Sequence, residues 1–209
     1  MKPYSLLFAG LVSIGMAIVS GCQANVQKKG HTMFLPPPLE DEWTKWLIGE
    51  WEGAGESEAG TGFGVVRIEP ALNGQFIFAT GTARVTEITP EQVQYLRDQM
   101  HASDAEIERF KTSPYTSLEI FTIDQETGDV LAYMFDSLRC IATGRGKRQG
   151  DRETIEWMYI TGHKCTRVTE RLGDDRMAVI QKTIMPDGSI FTEKGESVRR
   201  KPPAPPEKP

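Results

Sequence analysis

Apolar and polar residues alternate with a period of two through most of the chain. In the first such run Gly49, Trp51 and Gly53 share one parity, while Glu50 and Glu52 take the other. This is the pattern of a β-strand with one inner face. The alternating runs are residues 47–53, 64–69, 75–85, 118–123, 130–135, 140–146, 154–160, 165–172, 176–184 and 189–198. The pattern therefore predicts about ten strands.

The segments between these runs are short and rich in turn residues, such as Asn73 with Gly74 and the Asp-, Glu- and Gly-rich residues 124–129. Such connections favour hairpins, and hence an all-β, antiparallel up-and-down order. An open sheet would leave two unpaired edges, and no predicted strand has a proline in its middle to block pairing. We therefore expect the sheet to close into a β-barrel.

The alternation breaks in residues 87–113, where two helix starts occur. Thr89 is followed by Pro90, which suits the first helical position, and Ser103 with Glu106 forms an S-x-x-E capping box. The apolar side chains of these helices that we expect to be buried are Val93, Leu96, Ile107 and Phe110. The sequence predicts a helical insertion over one barrel end, either as a plug over core side chains or as a lid.

The N-terminal segment has the features of a removable export signal. Lys2 precedes an uncharged apolar run at residues 6–19, which is shorter than the roughly 20 residues of a membrane-spanning helix. Two small residues then lead into Cys22, a pattern that resembles the lipobox of bacterial lipoproteins. It predicts a signal peptide at residues 1–21 and a mature chain anchored to a membrane by lipid on Cys22. The alternatives are an ordinary secretory signal with Cys22 incidental, or an uncleaved anchor.

The flanking segments complete the domain plan. Gln23, rather than Asp, follows the cysteine, so nothing resembles the inner-membrane retention signal of some Gram-negative bacteria. We expect a cell-envelope protein on the periplasmic face of the outer membrane. Residues 22–41 contain a three-proline run and predict a flexible linker, and residues 201–209 predict a Pro-rich disordered tail. Residues 42–200 are then one barrel domain.

Charge excludes a nucleic-acid binder. Removing residues 1–21 takes away one lysine and no acid, which leaves 23 basic and 29 acidic residues and a net charge of −6. Electrostatic binding to phosphates requires a basic surplus instead. One local basic run, Arg145, Lys147, Arg148 and Arg152, is interspersed with glycines. We interpret it as a solvated turn rather than a site for an anionic ligand.

Candidate catalytic and metal-binding residues are few. The chain has no G-x-S-x-G, H-E-x-x-H or G-x-x-x-x-G-K-[ST] motif, so we do not expect an enzyme. His163 and Cys165 lie two positions apart, but two ligands do not make a metal site. We interpret His163 as a surface-turn histidine and expect no metal. Asp174 and Asp175 are adjacent in a predicted turn, where carboxylates stabilise a bend.

Cys140 and Cys165 are the cysteines of the predicted domain. Export to an oxidising compartment favours a disulfide between them. The expected register places Cys140 near Met158 and Cys165 near Tyr159, so the two lie on opposite sides of one strand. Two strand spacings are about 9.6 Å, beyond the roughly 7 Å that a disulfide tolerates. A disulfide and two buried thiols remain the alternatives.

Residues 42–56 resemble the opening of calycin-like bacterial barrels, in which an apolar residue precedes G-x-W-x-G-x-G at the start of the first strand. Gly49, Trp51, Gly53 and Gly55 match that motif. The resemblance implies a calycin-like up-and-down β-barrel of the lipocalin and nitrobindin kind.

Later features are similar to one exported family known as a domain of unknown function. Tyr133 lies in a strand that ends in Asp136 and Ser137, and the last strand follows Asp187. Nitrobindin-like proteins bind haem through a histidine near the C-terminus. This chain has no histidine after His163, so we expect no cofactor.

Five large apolar side chains on the predicted strands are candidates to line a ligand cavity: Trp51, Phe63, Phe78, Tyr133 and Trp157. The alternative is that they fill the barrel as an ordinary core. We expect a membrane-tethered envelope lipoprotein that binds a small hydrophobic or amphipathic ligand. The alternative function is an envelope interaction protein that acts through its helical insertion.

Overall fold

The computed structural model describes residues 36–98 and 101–201. Its three helices are α1 (Glu42–Leu47), α2 (Pro90–Asp98) and α3 (Asp104–Thr112). The ten strands are β1 (Gly49–Ser57), β2 (Gly60–Ala71), β3 (Phe76–Ile88), β4 (Tyr115–Ile123), β5 (Val130–Asp136), β6 (Ile141–Gln149), β7 (Arg152–Tyr159), β8 (Lys164–Arg171), β9 (Arg176–Ile184) and β10 (Ile190–Arg199).

The strands form a closed antiparallel barrel in the order β1-β10-β9-β8-β7-β6-β5-β4-β3-β2. Each strand pairs with its neighbours in sequence, and β1 closes the ring by pairing with β10. Trp51 lies opposite Val66 on one side and Arg199 on the other. The predicted up-and-down β-barrel of about ten strands with a helical insertion is therefore confirmed.

One end of the barrel, called the closed end below, carries α1 and the β2–β3, β4–β5, β6–β7 and β8–β9 turns. The alternation pattern did not predict α1. Asp41 caps it, because its carboxylate accepts hydrogen bonds from the Thr44 backbone N–H at 2.9 Å and from the Thr44 hydroxyl at 2.6 Å. Trp43, Trp46 and Leu47 of this short helix are buried, so α1 closes this end with apolar side chains.

The opposite end, called the helix end, carries α2 and α3 between β3 and β4. The backbone N–H of Thr89 donates to the Ala59 carbonyl in the β1–β2 turn, which ties the start of α2 to the barrel. Both groups of the Ser103–Glu106 capping box are in place at α3, as the sequence predicts. Leu96 and Ile107 are buried, which accounts for the apolar faces of both helices.

The basic run interpreted as a solvated turn lies in β6 and at the start of β7 in the structure. Strand β6 continues to Gln149, and Gly150, with φ of 58°, makes the turn into β7. Arg148 occupies an inward strand position, where its guanidinium donates to Glu153 at 2.7 Å. The basic run is thus a strand with one arginine inside the barrel, because a buried carboxylate holds that arginine there.

Several predicted segments lie outside the described residues: the signal peptide 1–21, the lipidation site Cys22, the linker up to residue 35 and residues 202–209 of the tail. Within residues 36–98 and 101–201, no helix has both the length and the apolar character needed to cross a membrane.

Candidate functional site

Three tryptophans at the closed end each lie against an arginine. The stacks are Arg148 on Trp43, Arg171 on Trp46 and Arg199 on Trp51, with guanidinium carbons 6.0, 5.5 and 4.2 Å from the ring centroids. Trp51 is fully buried, and its indole N–H donates to the Leu47 carbonyl at 2.8 Å. Cation–π contacts and this hydrogen bond fix the floor of the barrel interior.

Above that floor lies a cavity of about 340 Å³. It extends from Leu47 and Trp51 at the closed end to Tyr115 and Ala83 nearer the helix end. Its volume is at the lower end of the range found for small-molecule sites, about 300–1,000 Å³. The barrel is therefore not completely filled by its own side chains.

The part of the cavity wall formed by β1, β2 and β3 is rich in glycine and alanine, alongside Trp51, Val65, Val66, Ile68 and Thr82. Gly53 lies opposite Gly64, and Gly64 lies opposite Ala83, so small residues form a continuous row across three strands. A Cβ at Gly53 would lie 2.1 Å from the Glu196 carbonyl oxygen, whereas at Gly55 the nearest atom is 3.4 Å away. Gly53 thus lets β1 and β10 approach, whereas a Cβ at Gly55 would make only ordinary van der Waals contacts.

An ion pair inside the barrel joins Arg167 of β8 to Glu119 of β4. The Arg167 guanidinium binds the Glu119 carboxylate through two nitrogens, each 2.8 Å from a carboxylate oxygen. The same guanidinium lies 5.0 Å from the Trp157 ring centroid and 5.8 Å from that of Phe121. Burial alone would lower the pKa of Arg167, but the Glu119 charge and hydrogen bond outweigh it, so the pKa is raised. The Arg167 guanidinium is held charged, and its two hydrogen bonds orient it against Glu119.

Tyr115 and Asp136 add a hydroxyl and a carboxylate nearer the helix end. The Tyr115 hydroxyl donates to Asp136 Oδ2 at 3.3 Å. Burial, followed by the charge of Asp136, raises the pKa of Tyr115 well above its ordinary value. The phenol therefore stays protonated and serves as a hydrogen-bond donor rather than as a base.

The structure brings two of the five sequence-predicted aromatic residues to the inner face. Trp51 and Trp157 are buried inside. Phe63 is an odd number of positions from inward-facing Val66, so strand alternation places it on the outer face. Phe78 lies between buried Ile77 and Ala79, so it is on the outer face as well. Tyr133 is also on the outer face and is 44% exposed.

His163 is buried, which corrects its interpretation as a surface histidine. It follows Gly162, whose φ of 88° turns the chain, and its ring lies edge-on to Tyr159 with centroids 6.2 Å apart. A 2.7 Å hydrogen bond joins Thr161 Oγ1 and His163 Nδ1. Burial lowers the pKa of His163. Among residues 36–98 and 101–201, no three His, Cys, Asp or Glu side chains are grouped so as to hold a metal ion.

Cys140 and Cys165 are both buried, and no disulfide joins these two described residues. Strand β7 lies between β8, which contains Cys165, and β6, which begins just after Cys140. In β7, Trp157 pairs with Cys165 on one side and with Gly144 on the other. Burial raises the pKa of Cys165 to about 11, although a hydrogen bond with Thr183 acts to lower that pKa. That thiol is protonated at neutral pH and is a poor nucleophile.

Sequence reasoning missed Glu119 and Arg167 as interior residues, because a charged residue on an alternating strand is ordinarily outside. A signal was available in β8, because Arg167 lies two positions after Cys165 and so has the same strand parity. Cysteine is among the most buried residue types, so this parity marks the inner face of the strand.

Apolar side chains also form a patch on the outer face of β5, β6 and β7 near the helix end. Phe135 lies opposite Ile141, and Ile160 donates its backbone N–H to the Ile141 carbonyl. In the next row Tyr133 and Met158 flank Thr143. The apolar members of this outer patch, Tyr133, Phe135, Ile141, Met158 and Ile160, are all exposed. Clusters of this kind mark interaction surfaces.

Comparison with solved structures agrees with the barrel. The chain is similar to the S-type phycobiliprotein lyase CPES from Guillardia theta, with a TM-score of 0.51 and 10% identity over 77% of this chain and 92% of the lyase. This likeness is one of fold alone.

Two further structures show a lower similarity. A redesigned β-barrel, mFAP0, bound to DFHBI, aligns over 74% of this chain and 99% of its own, with 11% identity and a TM-score of 0.39. A DUF3598-family protein of unknown function from Nostoc punctiforme aligns over 78% and 100%, with 10% identity and a TM-score of 0.25. No protein-family model matches the sequence, and no curated protein matches it.

Proposed function

We propose that this protein binds a small hydrophobic or amphipathic molecule inside its barrel, without catalysis, and is held at a membrane by lipid on Cys22. The observation that carries the binding function is the 340 Å³ cavity, which is lined by glycine and alanine of β1, β2 and β3 together with Phe121 and the Glu119–Arg167 pair. A packed barrel of this size would leave no such space.

Titration of the full mature chain with N-phenyl-1-naphthylamine, an uncharged fluorescent probe, tests the binding function. Ala83→Leu adds bulk to the cavity wall, and we expect it to weaken probe binding at least about tenfold. Thr80→Leu is the matched control, because Thr80 is exposed on the outer face of the same strand and does not line the cavity. Equal binding by both variants would place the probe elsewhere and contradict the proposal.

Membrane attachment is tested separately. We expect labelled palmitate to be incorporated into the protein in its own host, and Cys22→Ser to abolish the label and release the domain from the membrane fraction. Retention of residues 1–21 without any label would refute the anchor while leaving the binding function untouched.

A second candidate function is docking to an envelope protein near the helical insertion. The outer patch supports it, because it lies at the same barrel end as α2 and α3 and carries five exposed apolar side chains. A photo-crosslinking amino acid at Met158 should give one discrete adduct in cells. The same amino acid at Glu156, an exposed position two residues earlier, should not. Equal adducts at both positions would contradict this function.

A further inference from the structure

The cavity lining specifies the chemistry of the occupant beyond its size. We infer that the ligand is an uncharged molecule with a flat apolar body and one hydrogen-bonding end, such as an amide or an alcohol. This inference rests on the proposed binding function, and it follows from the charge balance of the cavity and the shape of its glycine wall.

Every charge that lines the cavity is matched within the protein. The charged lining residues are Glu119, Glu153 and Arg167. Glu119 binds Arg167, and Glu153 accepts from Arg148 at 2.7 Å. A charged ligand would find no opposite charge available, and it would be buried unpaired unless it broke one of these pairs.

Replacement of a pair by the ligand is also opposed by geometry. The Arg167 guanidinium uses two nitrogens for Glu119, and its carbon lies 5.0 Å from the Trp157 ring centroid. A ligand carboxylate that took over these nitrogens would leave Glu119 as a second anion beside it. A ligand ammonium that took over Glu119 would leave Arg167 as a second cation. In both cases the displaced charge stays in the barrel.

The shape of the cavity follows from the missing side chains. Gly53, Gly55, Gly64 and Gly81 present backbone, not side chains, to the cavity from three adjacent strands. Glycines inside strands are typical of places where a ligand or another backbone approaches closely. The backbone of β10 takes this space at Gly53, whereas a Cβ at Gly55 would meet only ordinary contact distances. Phe121 of β4, the strand next to β3, also lines the cavity. The ligand would therefore lie against peptide backbone and an aromatic ring, which favours a planar body.

Polar groups for one end of the ligand are present on the same walls. Ser117 of β4, Thr169 of β8 and Ser197 of β10 carry hydroxyls that line the cavity. Hydroxyls both donate and accept, so they match an amide or alcohol without requiring a charge.

Four probes of similar size test the inference on the full mature chain by calorimetric titration at neutral pH. The probes are 2-naphthamide, 2-naphthoate, 2-naphthylmethylammonium and adamantane-1-carboxamide. We expect 2-naphthamide to bind about tenfold or more tightly than each of the other three, because two are charged and the last is globular.

Charge variants show whether the Glu119–Arg167 pair sets this preference. Glu119→Gln leaves the Arg167 charge unmatched, so 2-naphthoate should gain about tenfold or more in affinity while the ammonium probe gains none. Arg167→Met should give the reverse. Glu56→Gln on the exposed outer face of β1 is the control and should leave the ranking unchanged.

The outcomes separate the two proposals. If a charged probe binds the unmodified protein as tightly as 2-naphthamide, the ligand class is wrong and the binding function stands. Equal binding of adamantane-1-carboxamide overturns the flat shape. If no probe binds, and N-phenyl-1-naphthylamine does not bind either, the binding function and this inference fail together. The ranking on the unmodified protein decides the question even if a charge variant fails to fold.

Discussion

Arg199, the last residue of β10, holds its guanidinium carbon 4.2 Å from the ring centroid of Trp51 in β1. The same guanidinium donates to the carbonyls of Trp46 and of Ile48, the latter at 2.6 Å. One side chain therefore joins the two ends of the barrel sequence to each other and to α1. It acts where an up-and-down barrel must close, between its first and last strands.

Replacing Arg199 by Ala should destabilise the protein. The change removes hydrogen bonds from a charged donor to at least two carbonyls and the stack on Trp51, so we expect a loss of about 2–4 kcal/mol in the free energy of unfolding. Urea denaturation followed by tryptophan fluorescence measures it. The control is Arg176→Ala, which removes only an exposed ion pair with Glu196 and should cost less than about 1 kcal/mol. Equal losses would show that the contacts of Arg199 stabilise the protein no more than an exposed ion pair does.

Two glycines on the same face of β1 should respond differently to alanine. In Gly53→Ala the new methyl would lie 2.1 Å from a backbone oxygen of β10, so we expect a loss of about 3 kcal/mol or more, or failure to fold. In Gly55→Ala the nearest atom is 3.4 Å away, and the change should stay within about 1 kcal/mol. Thermal unfolding of both variants checks this. A tolerated Gly53→Ala would mean that β1 and β10 separate more easily than their register indicates.

His163 should make stability fall in mild acid. Burial lowers the pKa of its imidazole in the folded protein. Between that pKa and the ordinary value of about 6.5, the unfolded chain therefore binds more protons than the folded protein. The contribution of neutral His163 to the free energy of unfolding is complete above about pH 6.5 and is lost as the pH falls through the folded-state pKa. Urea denaturation between about pH 5 and pH 8 should show the free energy of unfolding falling as the pH falls, and His163→Gln should reduce this pH dependence. An unchanged pH dependence in His163→Gln would contradict this assignment.

Cys165 should be unreactive in the folded protein. With a pKa of about 11, only about 0.1% of the thiol is ionised at pH 8. Alkylation by iodoacetamide should be slow and should rise about tenfold per pH unit, whereas denatured protein should react at the ordinary rate. Peptide mass spectrometry follows both thiols. An intact mass two hydrogens lower, with no alkylation before reduction, would instead show a Cys140–Cys165 disulfide.

Local sequence signals were enough for much of the fold. The capping box at Ser103 and Glu106 is a contact between residues three apart, so it can be read without the rest of the protein. The same is true of Thr89 before α2, which accepts the Gln92 N–H at 3.3 Å. Strand positions followed from alternation in the same way, because the period of two is a property of one extended segment.

Alternation could not decide which face of a strand is enclosed when both faces are apolar. In β5, Val130 and Met134 point inward and are buried, while Tyr133 and Phe135 point outward and are exposed. The larger aromatic residues suggest the wrong face. Only the pairing of β5 with β4 and β6, in a ring that must close, selects the inner set.

The sequence by itself determined the strands, the hairpin order and the helix starts at Thr89 and Ser103, since each depends on residues near one another in the chain. The tertiary structure alone decided that Arg167 and Glu119 meet inside the barrel, that His163 is buried and that glycines of three strands form one wall. These features join residues from separate strands, and they exist only once register and barrel closure have set which side chains share the interior.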